Sequence, residues 1–133
     1  MLLELIIALH LKIIFTEKPL IDCNVGFNVI GNMDGCLKSN NKIYLSYYSK
    51  NINQVLYHEI GHAIFLKDDF SRVIIKDYPK IEYYNENNYR TKKDILDESV
   101  ADYFVEFMMN NKEFSVRYPC LWIYFNDKIK QLI

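Results

Sequence analysis

Two histidines four residues apart, His58 and His62, with a glutamate directly after the first, constrain this chain more than any other feature. Side chains at i and i+4 share a face only on a helix, so His58-Glu59-Ile60-Gly61-His62 calls for a helix whose two imidazoles reach one point. Glu59 is rotated off that line but stays close enough to reach a water molecule there. Val55, Leu56, Ile60, Ala63 and Ile64 are uncharged, as a helix inside a domain core requires. Gly61 costs a helix interior about 1 kcal/mol relative to Ala, so it argues for close approach of another backbone. Asn51 and Gln54 have the spacing of a capping box, which predicts a helix opening at Asn51 and running to about Leu66.

The arrangement is the H-E-x-x-H pattern, in which two His bind zinc and the Glu acts as general base. A catalytic zinc site normally takes three protein ligands and leaves one position open. His10 is the one remaining histidine, in the apolar N-terminal run, and is expected to be a partly buried helix residue. The acidic residues Asp94, Asp97, Glu98, Asp102 and Glu106 offer a better third ligand. Glu98 and Asp102 are four apart and share a face, which suits a metal-binding Glu and an Asp that orients a ligating His through its other ring N–H. Asp97 competes with Glu98 as ligand. The bland alternative is a solvated acidic face, and for the first segment an amphipathic helix with two solvated His.

The rest of the chain reads as one domain of 133 residues, long enough to bury its own core. Residues 1–11 read as a helix, 12–16 and 27–30 as strands, Asn32-Met33-Asp34-Gly35 as a tight turn, and Asn40-Asn41 as a loop. Lys42–Tyr48 alternates, with Ile43, Leu45 and Tyr47 on one face, which predicts a half-buried strand. An extended substrate pairing with this strand's edge is one hypothesis. Residues 71–93 read as a long connection, either a lid or a surface loop. A second helix runs from Thr91 or Asp94 to about Asn110, its apolar positions being Ile95, Val100, Tyr103, Phe104, Phe107 and Met108. Pro119 suits the first turn of a last helix over Cys120–Leu132. The fold class expected is α+β: a small, mostly antiparallel sheet, with the His58–His62 helix packed on a second, ligand-bearing helix.

A net charge of −1 gives no electrostatic case for nucleic acid. Three widely spaced cysteines, Cys23, Cys36 and Cys120, read as reduced thiols packed in the core of a cytoplasmic protein. Met1 to Phe15 is apolar, but Glu4, His10 and Lys12 interrupt it and it falls short of the ~20 residues a spanning helix needs. A buried helix and strand are expected there, with export or a membrane anchor as the alternative.

His58-Glu59-Ile60-Gly61-His62-Ala63, followed by Asp97-Glu98-Ser99-Val100-Ala101-Asp102-Tyr103-Phe104, resembles the ImmA/IrrE-like metallopeptidases. That family has a HE-x-GH helix and a later helix reading roughly E-x-x-A-x-x-F-A. Glu98, Ala101 and Phe104 match it, while Val105 replaces the usual small residue. The likeness covers roughly residues 40–110 and is specific in the two helices. It implies a gluzincin-like fold, zinc bound by His58, His62 and Glu98, Glu59 as base, and a substrate such as a helix-turn-helix repressor of a phage, mobile element or stress operon. The alternative is a module that grips a repressor without cutting it, its zinc site structural or vestigial.

Overall fold

The computed structural model describes residues 1–17, 35–38, 41–47, 49–78 and 92–133. Helix α1 (Leu2–Ala8) is followed by strand β1 (Lys12–Thr16). Strands β2 (Gly35–Lys38) and β3 (Lys42–Ser46) precede five helices: α2 (Ile52–Phe65), α3 (Asp69–Ile75), α4 (Lys92–Met109), α5 (Asn111–Arg117) and α6 (Pro119–Leu132). The expected strand at 27–30 and the first three residues of the expected turn at 32–35 lie outside the described residues, and Gly35 opens β2.

The class is α+β, as expected, with a three-stranded sheet ordered β1-β3-β2. β3 runs parallel to β1 and antiparallel to β2, so the sheet is mixed rather than mostly antiparallel. Ile43 and Leu45 turn into the core, as the alternation of β3 predicts. Tyr47 stands beyond the strand end, exposed and stacked on Phe15. β3 is also the central strand, which removes it as an edge for substrate pairing: both its ladders are already occupied. Among the described residues the strand next to α2 on the sheet's edge is β2, a strand the sequence pattern did not single out.

Two glycines hold α2 between its neighbours. A Cβ on Gly35 would collide with Val55 of α2, so only glycine lets β2 lie this close to the helix. A Cβ on Gly61 would stand 3.2 Å from the Ala101 Cα of α4, tighter than ordinary packing. The small pair Gly61 and Ala101 therefore sets how near the two long helices approach. Behind them, Phe65, Phe104, Phe107, Phe114 and Phe125 pack ring against ring with centroids 5.1–5.9 Å apart. Large buried aromatics at these separations combine area burial with edge-to-face attraction. Leu121, Phe125 and Ile129 form the inward stripe of α6, whose first position is Pro119 as expected.

Four local expectations are corrected. Asn51 does occupy the N-cap of α2, but its side chain makes no capping bond. His10 follows α1 with φ 53 and is exposed, not a half-buried helix residue. Asp69–Ile75 is a helix rather than the start of a loop, with the Asp68 carboxylate accepting from the Phe70 N–H as its cap. Of the rest of the expected connection at 71–93, residues 92–93 belong to α4 and 79–91 lie outside the described residues. Cys36 is packed in the core as expected, but it is disulfide-bonded rather than reduced, and Cys120 is a free thiol that is exposed rather than core-packed. No helix is long and apolar enough to cross a membrane among the described residues.

Candidate metal centre

His58 and His62 project from one face of α2, their rings 4.6 Å apart and nearly perpendicular. Glu98 and Asp102 project from one face of α4. The Gly61–Ala101 contact brings these faces together, and one carboxylate meets both imidazoles. Glu98 Oε2 lies 3.0 Å from His58 Nε2, and Glu98 Oε1 lies 3.1 Å from His62 Nε2. Asp102 Oδ1 lies 2.9 Å from the other ring nitrogen of His58, Nδ1. His58, His62 and Glu98 each offer one ligand atom, all within 4.8 Å of one another. Atoms bound to one tetrahedral ion at about 2.0–2.1 Å stand roughly 3.3 Å apart, so the two-nitrogen, one-oxygen set fits a metal with little adjustment.

The electrostatics follow from burial and pairing. Burial works against a charged His58, but hydrogen bonds to Asp102 and Glu98 overcome it and carry its pKa from 6.5 up to about 10. Burial also opposes ionisation of Glu98, and there the two histidines win, holding its carboxyl well below the usual range. A metal held at this point would take the place of a proton on His58 Nε2 and would leave Nδ1 as the donor to Asp102.

Glu59 is 6% exposed. Burial pushes its carboxyl above the ordinary carboxylate range, while His62, His58 and the backbone N–H of Leu37 pull the other way. The Leu37 N–H belongs to β2, so the sheet edge supplies the hydrogen bond that a buried carboxylate requires. Sequence reasoning had no means of finding this contact, because a backbone donor leaves no residue-type signal.

Asp97, the competing ligand, is turned elsewhere. Its two oxygens accept from Arg72 Nε at 2.8 Å and Nη2 at 3.3 Å, joining α3 to α4. Arg72 also reaches Asp69 and the Leu66 carbonyl. Spacing gave no hint of this pairing across 25 residues. Asp94 and Glu106 are on α4 but not in the cluster, and His10 is not part of it either.

The arrangement defines a pair of helices able to hold a metal ion, with a buried carboxylate beside it. Against protein-family models, curated proteins and solved structures, the chain has no match.

Proposed function

We propose that this chain is a zinc-dependent metalloendopeptidase. The observation that carries the reading is the convergence of His58 and His62 of α2 with Glu98 of α4, and the buried Glu59 directly after His58 on α2. Two imidazoles and one carboxylate are the donor set of many catalytic zinc sites, and they leave a coordination position for water or substrate. A zinc ion bound there lowers the pKa of a water molecule to about 7 and polarises a peptide carbonyl.

The chain's own residues supply the rest. Asp102 accepts from His58 Nδ1 and so keeps Nε2 directed at the metal position. Glu59 takes the proton of the attacking water and passes it to the departing amine. A carboxyl with a raised pKa suits that double task better than an ordinary one. Gly61 and Ala101 hold the two ligand-bearing helices at the distance that lets Glu98 serve both histidines.

The likeness of the two helices to the ImmA/IrrE-like peptidases extends the proposal to the substrate: a helix-turn-helix repressor in the cytoplasm, with no role for nucleic acid or membrane. The disulfide at Cys36 pulls against that compartment, since such bonds persist mainly under oxidising conditions. Fractionation of cells expressing the chain decides the compartment.

Glu59→Gln tests the enzymatic reading. Zinc content should stay at wild-type level while peptide cleavage falls by about 100- to 10,000-fold. If the variant still cleaves peptides at the wild-type rate, Glu59 is not the base. If it still silences a partner repressor in full without cleavage, the non-proteolytic alternative replaces the peptidase.

A further inference from the structure

One of the candidate metal ligands, His62, lines a cavity of about 480 Å³. Three elements wall it: the end of α1 with Leu9, the end of β2 with Leu37 and Lys38, and the last turn of α2 with Ala63, continuing to Leu66 and Lys67. Two residues join it to the site. His62 is both a candidate ligand and a cavity wall, and Leu37 lines the cavity while its N–H binds Glu59. The cavity therefore opens beside the position where a scissile bond would lie.

Hydrogen bonds tie two of its walls together. Asn41, at the β2–β3 turn with φ 60, donates from Nδ2 to the Leu9 carbonyl at 3.4 Å, and its own carbonyl accepts from the Lys12 N–H at 3.0 Å. These bonds pin the turn to the end of α1. Leu9, Leu37, Ala63 and Leu66 give an apolar surface, and the volume is that of a pocket for a small ligand or a large side chain. Among the described residues that line it, both permanently charged ones are exposed lysines, Lys38 and Lys67, and none is acidic.

We propose that this cavity is a specificity pocket, taking a large apolar side chain of a peptide whose flanking residues are acidic. Its place beside the reacting bond rests on the peptidase reading, but the binding it predicts does not need cleavage. The apolar walls desolvate the side chain. Lys38 and Lys67 at the rim attract carboxylates on either flank and repel basic residues.

The test uses two fluorescein-labelled ten-residue peptides that differ only in having Glu or Lys on both sides of a central Leu. Anisotropy measures their binding to zinc-loaded Glu59→Gln protein, in which turnover is suppressed. The Glu-flanked peptide should bind about tenfold tighter at low salt, with the gap narrowing as salt rises. The double variant Lys38→Glu/Lys67→Glu, altered only at exposed positions, should reverse the preference. Replacing the central Leu by Gly should weaken binding about tenfold. Equal affinities, or a preference that survives the double variant, overturn the pocket. Incubating both peptides with zinc-loaded wild type separates the two ideas. The predicted binding preference without any cleavage sinks the peptidase and leaves the pocket standing; cleavage without preference sinks the pocket alone.

Discussion

Asp97 and Glu98 are neighbours on α4, and they join that helix to two different partners by two different kinds of charge pair. Toward α3, Asp97 meets Arg72, a guanidinium that keeps its charge at any pH and engages both carboxylate oxygens. Toward α2, Glu98 meets two imidazoles, groups whose nitrogens can take either a proton or a metal ion. The first contact has its donors and acceptors matched and closes the site to anything else. The second is a carboxylate shared between two rings, with Asp102 already fixing the far side of one of them. One carboxylate is spent on holding the fold, and the next is left exchangeable. The cation it meets, rather than its own chemistry, makes the difference.

The sharpest way to break this comparison is to remove each carboxylate in turn. Glu98→Ala should abolish stoichiometric zinc binding, because two imidazoles alone make a weak site. Asp97→Ala should keep the zinc, but lose about 2 kcal/mol of stability, since it leaves a largely buried guanidinium short of its main partner. Metal analysis beside urea unfolding reads both. Full zinc content in Glu98→Ala would remove Glu98 from the ligand set, and lost zinc in Asp97→Ala would mean that the two contacts are not separable.

Next in size is Asp102→Ala. Loss of a carboxylate behind a ligating histidine typically weakens metal binding by about 10- to 100-fold. Competition with a chromophoric chelator measures it. An unchanged affinity would make Asp102 a partner of the metal-free histidine only.

Much of this site was legible because it is written in helical periodicity. His58 and His62, and separately Glu98 and Asp102, each declare a shared face by spacing of four. Gly61 and Ala101 then say where the faces meet. The carboxylate choice between Asp97 and Glu98 was open in the sequence, because it depends on Arg72 across 25 residues. Spacing has nothing to say about such pairs. β2 escaped for a related reason. A four-residue strand has too few positions for a period, and what makes Gly35 necessary is Val55 on another element. The cysteines misled in part because residue type alone does not say that the sulfur of Cys36 is bonded or that Cys120 is exposed. His10 misled because the apolar pattern continues past Ala8, while the backbone leaves the helix at Leu9.

A smaller effect belongs to the cap of α3. Asp68 accepts from the Phe70 N–H, from the Tyr124 hydroxyl at 2.5 Å, and pairs with Lys128 at 3.3 Å. Although partial burial opposes its ionisation, these contacts hold its carboxyl below the ordinary value of 3.8. A depressed pKa gives stability that is present above 3.8 and lost as pH falls through the lower, folded-state value. The stability gap between wild type and Asp68→Asn should thus be constant near neutrality and close in acid. A gap that widens in acid would show that the carboxylate form is not the one that matters.

The smallest expected effect returns to Arg72. Its second carboxylate, Asp69, sits 2.6 Å from Nη1, closer than either Asp97 contact, yet its side chain is 96% exposed. Distance alone would rank it above Asp97. Burial ranks it far below, because water screens an exposed pair and the side chain must give up freedom to form it. Asp69→Ala should therefore leave the unfolding midpoint within measurement error of wild type and leave zinc binding untouched, while Asp97→Ala does not. If the two variants lose equal stability, the α3–α4 junction is held by the whole Arg72 cluster rather than by the buried pair. Asp97 would then differ from Glu98 less by its partner than by its place on the helix.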